Sequence, residues 1–407
     1  MSDDSSNKPS VLVVGGLGMQ TTINQQKQRS RRRLMSVDGD VGVGVGFIGR
    51  HLVHHIHKNN LASELRVVDK LLPQLAWLSP EITEACKDRF VQADASLQQS
   101  LPRVFDRADG SQYDLVINCG GESRYSHQDD VYRLRSHALS ITLGKEAARR
   151  GVKAFVECSS AAIYKVDDKP RKETDKLKPL QKLTKWKVTT EEELAKIDGL
   201  NLVVLRFPYV YGEYDTGLLT SVICVGRTYK EIGRPLTFLY AKERPLNTVW
   251  VVDAARALWT AATWRASKGP LPSNQDPQPF PTTFNIVDHN NTLKGDLADA
   301  LERNFGIKCE FLGSLMSQFA KMNQEQILDE MNEETLEVWS ELLLAKGITT
   351  SGPISPFLEK EVLKDADTTV DGSLFEQTTG FTYLKEKLDP DWLSSVIKSY
   401  EQMNWWP

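Results

Sequence analysis

The chain has 407 residues, 40% hydrophobic and 26% charged, with a formal net charge of −4. That length permits two domains or one large domain with a lobe, and the composition is ordinary for a globular protein in water. The acidic balance argues against a nucleic-acid partner, and no apolar stretch approaches membrane-spanning length, which argues against a membrane partner.

In chain order, residues 1–10 (MSDDSSNKPS) are polar, lack an apolar signal core and read as a disordered N-terminus. Short apolar runs predict strands at 11–15, 65–69, 89–92, 114–118, 153–158 and 202–206. Helical periodicity fills the gaps at 47–59, 75–86, 97–107, 131–150 and 186–197. The runs LVIN, AFVEC and LVVLR are apolar on both faces, as buried parallel strands are. This alternation predicts an α/β fold, a doubly wound parallel sheet of the Rossmann type, over residues 11–206. After Arg206 the pattern loosens, with a Pro-rich stretch at 270–281, a late strand at 284–288 and a helix at 293–305. Residues 207–407 therefore read as a smaller, mixed or helical substrate lobe with a helical C-terminal region. Residues 284–305 within it are placed to pack back on the first domain. Five scattered cysteines without a CxxC pair predict thiols of a reducing compartment, so a cytoplasmic location is expected.

The first strand carries the chemistry. It reads VLVVGGLG to Gly18, and a helix opens at Phe47 with FIGRHL. Joined, the two spell G-x-x-G-x-x-G through Gly15, Gly18 and Gly49, the turn that cradles a dinucleotide pyrophosphate. Glycines let backbone N–H groups approach the phosphates, and the helix N-terminus favours their charge. Asp69 ends the next strand (LRVVD), where a carboxylate takes the adenosine ribose.

Residues 19–46 interrupt this motif. They show no strand or helix period, hold a basic run (Arg29, Arg31, Arg32, Arg33) and end in Gly and Val, so they read as a disordered loop. Two readings stay open: a genuine surface excursion, or translated non-coding sequence such as an unspliced intron. Excision restores the whole motif at one point, which favours the second. Gly44, Gly46 and Gly49 also spell G-x-G-x-x-G and offer substitute glycines before the helix.

Over roughly residues 10–290 the chain resembles the extended short-chain dehydrogenase/reductase family, NAD-dependent epimerase/dehydratase type. The glycine motif corresponds to Gly15, Gly18 and Gly49, with Phe47 and Ile48 between. The resemblance implies NAD as cofactor, with Asp69 at the ribose and Asp94 near the adenine. Asn118, Cys119 and Gly120 stand where the fourth strand meets the cofactor, and Pro208 follows the sixth. Further matches are S-S-x-x-x-Y at Ser159, Ser160 and Tyr164, and L-R-x-x-x-V-Y-G at Leu205, Arg206, Val210, Tyr211 and Gly212. V-x-D-x-A is found at Val251, Asp253 and Ala255. The family's dimers join through helices corresponding to 97–107 and 131–150, so the resemblance leaves a homodimer open.

The family's catalytic set is a Ser or Thr and a Y-x-x-x-K. The tyrosine is the general acid/base, and the lysine lowers its pKa and holds the ribose. Ser160 matches. In one register Lys187 matches the lysine and Leu183 stands where the tyrosine belongs; in the other, Trp186 and Thr190 stand at the two places. The first is better, because Lys187 then precedes Glu191 by four, and no tyrosine occurs between Tyr164 and Tyr209. Leucine cannot exchange a proton. Tyr164 is the remaining candidate for that role, and in the family it is normally a packing residue. The bland readings are that Lys187 only pairs with Glu191, that Ser160 is a cap, and that Glu191–Glu193 is a solvated face. His51, His54, His55 and His57 read as a solvated helix face rather than a metal site. Ala161 and Ala162 replace the acidic pair of the 4,6-dehydratases, which leaves oxidation, reduction or epimerisation. Two functions stay open: an NAD(H)-dependent oxidoreductase or epimerase acting on a small carbonyl, alcohol or sugar-nucleotide substrate and weakened by the lost tyrosine, or a non-catalytic NAD-binding sensor or scaffold.

Overall fold

The computed structural model describes residues 8–15, 17, 45–166, 169–270, 279–312, 314–350, 352–360 and 369–407. Gly18, residues 19–44 and the first seven residues, with the expectations attached to them, lie outside the described residues.

Eleven strands and twelve α-helices are described. In the first half they are β1 (Ser10–Val14), α1 (Val45–Lys58), β2 (Glu64–Asp69), α2 (Pro80–Cys86), β3 (Phe90–Gln92), α3 (Leu101–Phe105), β4 (Leu115–Asn118), α4 (Asp129–Tyr132), α5 (Ala138–Arg149), β5 (Ala154–Ser160), α6 (Lys182–Leu194) and β6 (Leu202–Phe207). The second half holds β7 (Tyr209–Tyr211), α7 (Leu218–Ile232), β8 (Leu236–Phe238), β9 (Thr248–Trp250), α8 (Val251–Ser267), β10 (Thr283–Asn285), α9 (Lys294–Phe305), β11 (Cys309–Phe311), α10 (Ser314–Ala345), α11 (Ser373–Thr379) and α12 (Trp392–Gln402).

Seven strands form one parallel sheet in the order β10-β6-β5-β4-β1-β2-β3. Val11 is paired with Leu65 on one side and Leu115 on the other, so the strand order reverses between β1 and β4. Ligands bind at such a switch point, beyond the C-terminal ends of the strands. This is the doubly wound fold that the alternation predicts. Helix 75–86 is shorter than expected. Ser79 caps it by accepting the Ile82 N–H at 3.4 Å, and Pro80 starts it, since its fixed φ and missing N–H suit a first turn.

One core lies between the sheet and the face covered by α1 and α8. The alternation does not announce α8, whose buried stripe is mostly alanine (Ala254, Ala255, Ala257, Ala261, Ala262) and allows a close approach to α1. A second core fills the other sheet face, and a third joins α7, α9, α10 and α12. The C-terminal region serves more than the lobe. Phe375, Phe381 and Tyr383 enter the first core, and Arg171 pairs with Val370. Trp405 and Trp406 anchor the chain end in the third core.

Candidate active site

At the switch point, Gly15 adopts φ +74°, and a Cβ there would meet the Gly120 Cα at 2.3 Å. Glycine at position 15 lets the ends of β1 and β4 approach this closely, and a Cβ on Gly120 would meet Leu139 at 2.7 Å. Asn118 sets the turn by accepting the Gly120 N–H at 3.0 Å. Its amide donates to Ser140 and, at 2.7 Å, to Glu157, so Asn118 and the fully buried Cys119 shape the crevice from within.

Leu17 sits between β2 and α1. Its N–H donates to the Asp69 carboxylate at 3.0 Å, and its carbonyl accepts from the Arg50 guanidinium at 2.6 Å. Arg50 also donates to the Gly46 carbonyl at 3.2 Å, so one side chain holds both ends of the interrupted motif. Burial lowers the Arg50 pKa to about 10, with Asp69 opposing the shift. Asp94 stays below the ordinary carboxylate range. Burial pushes it up, but Ser96 and Lys70, the latter 2.9 Å away, outweigh that push.

A cleft opens beside α1 and is bordered by Phe47, Ile48, Cys158, Ser160, Leu183, Lys187 and Pro208. Its continuation past Ser160 is bordered by Ala162, Gln181 and Asn247. Ser160 and Lys187 therefore meet in one place, as their spacing suggests. Ser160 Oγ also accepts the Ala162 N–H at 3.1 Å, so cap and cleft residue coincide. Lys187 is buried and donates to the Cys158 carbonyl at 2.7 Å. It does not pair with Glu191, whose carboxylate takes Ser159 and, at 2.6 Å, Arg206. The solvated-face reading fails only at Glu191, which is buried; Glu192 and Glu193 are exposed, and Glu193 pairs with His137 at 3.0 Å.

Tyr164 is not among the residues that border the cleft. It is buried, accepts from Arg206 at 2.6 Å and donates to Asn285 at 2.7 Å. Burial raises its pKa to about 12 against the opposing Arg206 charge. Leu183 also borders the cleft.

Two phenols that sequence reasoning passed over, Tyr125 and Tyr209, border both parts of the cleft with Ser160. Tyr209 adjoins the matched Pro208, a signal within reach. Tyr125 has none, because its place depends on a remote contact: Glu359 accepts the Tyr125 N–H at 2.6 Å. Asp215 also borders the cleft. Burial raises its pKa to about 7, and the Gly217 N–H donates to it at 2.7 Å.

The histidine-rich helix differs from expectation at its first member. His51 Nε2–H donates to the Glu213 carbonyl, 3.0 Å away, and the ring packs on Phe47. Burial lowers its pKa to about 3. Among the described residues, no three His, Cys, Asp or Glu side chains form a metal-binding group. No described helix is long and apolar enough to cross a membrane.

A profile of the NAD-dependent epimerase/dehydratase family matches residues 43–286. The chain belongs to that family. Comparison with curated proteins gives no match. Among solved structures, UDP-glucuronic acid 4-epimerase from Bacillus cereus, in complex with UDP-glucuronic acid and NAD, is 14% identical with a TM-score of 0.61. UDP-glucose 4-epimerase from Thermotoga maritima, with UDP-glucose, is 16% identical with a TM-score of 0.59. MoeE5, in complex with UDP-glucose and NAD, is 17% identical with a TM-score of 0.58. Each alignment covers 97% of this chain and 99% of the other. At these identities the likeness is one of fold. The family's cofactor is NAD, and the cradle fits it: a Cβ would fill the Gly15–Gly120 crevice, and a carboxylate closes β2.

Proposed function

We propose that this protein is an NAD(H)-dependent oxidoreductase or epimerase acting on the sugar of a nucleotide-linked substrate, without the family's phenol at position 183. The observation that carries this reading is the convergence of Ser160, Lys187, Tyr125 and Tyr209 on one cleft. The fold shared with UDP-sugar epimerases supports the substrate class.

Bound NAD supplies a hydride acceptor or donor. Gly15 and Gly120 leave room for its diphosphate beside Phe47, Ile48 and Gly49. Asp69 accepts the ribose hydroxyls of the adenosine half and repels a 2′-phosphate, which favours NAD over NADP. Asp94 would take the adenine side, and Pro208 and Lys187 the nicotinamide side. Ser160 holds the substrate oxygen, and the Lys187 charge favours an oxyanion beside it. The proton moves at the phenolic oxygen of Tyr125 or Tyr209. We assign Tyr164 no part in that transfer, because its oxygen is engaged by Arg206 and Asn285. Ala161 and Ala162 supply no acid for elimination, so 4,6-dehydration is set aside.

One observation favours a second reading, a non-catalytic NAD-binding sensor or scaffold: Leu183, which has no proton to exchange, borders the cleft with Ser160 and Lys187. Titration calorimetry with NAD and NADP, followed by turnover assays on UDP-glucose and UDP-glucuronic acid, separates the two. Conversion of either sugar nucleotide with NAD supports the enzyme. Firm NAD binding with no turnover across a wider sugar-nucleotide and carbonyl panel favours the sensor.

A further inference from the structure

Two of the five cysteines touch. Cys119 Sγ and Cys158 Sγ are 3.7 Å apart, and both are buried. They follow the register pair Asn118 and Glu157 on the neighbouring parallel strands β4 and β5. Adjacent strands lie about 4.8 Å apart, inside the span of about 4.4–6.8 Å that a disulfide bridges between Cα atoms. A small movement of the two Cβ–Sγ bonds would bring the sulfurs into bonding distance.

The pair is also addressed from outside. Cys158 borders the cleft with Ser160 and Lys187, whereas Cys119 lies behind it. The Lys187 ammonium donates to the Cys158 carbonyl at 2.7 Å. That charge also reaches the Cys119 thiol. It opposes, without overcoming, the mutual hydrogen bond and burial that hold the Cys119 thiol well above its ordinary range. The outer thiol therefore meets a reagent first, and the inner one stays protonated beside it.

We propose that Cys158 and Cys119 are a reversible oxidation site, taking a small hydroperoxide through the cleft and closing to a disulfide. The step balances. The Cys158 sulfur attacks the peroxide oxygen, the O–O bond breaks, and Cys158 becomes a sulfenic acid as water or an alcohol leaves. The Cys119 sulfur then attacks Cys158 and displaces water. The two thiols give up two electrons and the peroxide accepts them; a dithiol reductant reverses the bond. The new bond would tie the turn carrying Gly120 to the strand carrying Ser160.

The test uses the full chain and hydrogen peroxide, with thiols alkylated under denaturing conditions and peptides mapped without reduction. Cys86, Cys224 and Cys309, on α2, α7 and β11, serve as internal controls. The expected result is a Cys119–Cys158 linked peptide lighter by two hydrogens, with the three controls alkylated and the link lost in dithiothreitol. In Cys119→Ser, dimedone should instead trap a sulfenic acid on Cys158. Oxidation that begins at the half-buried Cys309 while Cys119 and Cys158 remain alkylatable would overturn the proposal. So would oxidation of Cys158 to a sulfinic acid in the wild type with Cys119 untouched. The wild-type map stands alone if the variant fails to fold.

Discussion

Position 183 holds an isobutyl group in the cleft with Ser160 and Lys187, so on the proposed reading the acid would come from elsewhere in the cleft. A positioned general acid is worth about 10²–10⁴-fold. We expect one of Tyr125→Phe and Tyr209→Phe to lower kcat by that order, and Leu183→Tyr to restore activity in the impaired variant. Steady-state rates on an accepted sugar nucleotide provide the check. Unchanged rates in both Phe variants would remove the two phenols from the mechanism. Glu157 offers a second measurement at this scale. It is buried beneath the site, accepts from Asn118 and Ser140, and is raised to about 7 by burial against the opposing Lys187 charge. The folded state therefore keeps a proton between about pH 4.5 and 7 that the unfolded state has lost. Its contribution to stability is present below that window and lost as pH rises through it. Glu157→Gln mimics the protonated form. Relative to wild type, the variant should gain up to about 3 kcal/mol between pH 5 and 8, read from urea melts. A difference that stays flat across that range would show that Glu157 does not titrate there.

Among the elements, the junction of β1 and α1 is the one whose sequence is interrupted and whose ends are nonetheless held together. Arg50 grips the Leu17 and Gly46 carbonyls at once, and Asp69 grips the Leu17 N–H. Two carbonyls bound to one guanidinium are only a few ångströms apart, so a chain that ran from Gly18 directly into Phe47 would need little rearrangement. Deletion of residues 19–46 gives GGLGFIG and lets the Gly18 carbonyl take the place of the Gly46 carbonyl at Arg50. A short turn also avoids the closure entropy of a long one. We expect the deletion to raise NAD affinity at least about tenfold by calorimetry, equivalent to about 1.4 kcal/mol. Equal affinity in both forms would mean that Gly44 and Gly46 serve as the phosphate loop. This junction also marks how far the sequence could be read. The strand, the glycines and Asp69 are legible because each obeys a local rule of period or spacing. The Arg50 clamp is not, since apart from Gly46, four residues before it, its acceptors lie 33 residues before it and 26 and 27 after it.

In the whole molecule, the legible part is the alternating half, and the illegible part is whatever returns to it from far along the chain. The parallel sheet, Ser160 and Lys187 follow from short-range pattern. Tyr125 does not, because Glu359 fixes its backbone from 234 residues away. Nor does the return of the tail, because aromatic residues near the C-terminus show no period that says which core they fill. Phe375 is fully buried, 5.3 Å from the Phe284 ring and 5.2 Å from the Phe381 ring, in the core that also holds β1 and α1. Asp253 secures the following turn by accepting the Leu384 N–H at 3.0 Å and the Lys385 N–H at 2.9 Å. The tail is therefore part of the nucleotide-binding body and should fail with it. Phe375→Ala removes an aromatic ring from a packed site, which costs about 3–5 kcal/mol. Leu384→Ala, at a side chain 61% exposed on the same segment, should cost no more than about 0.5 kcal/mol. Thermal melts of both variants, with and without saturating NAD, provide the comparison. We expect one cooperative transition in each, a much lower Tm for Phe375→Ala alone, and a shift of the whole transition upward with NAD. A separate early transition in Phe375→Ala, leaving the NAD-dependent one in place, would show that the tail unfolds on its own and contributes nothing to the core it touches.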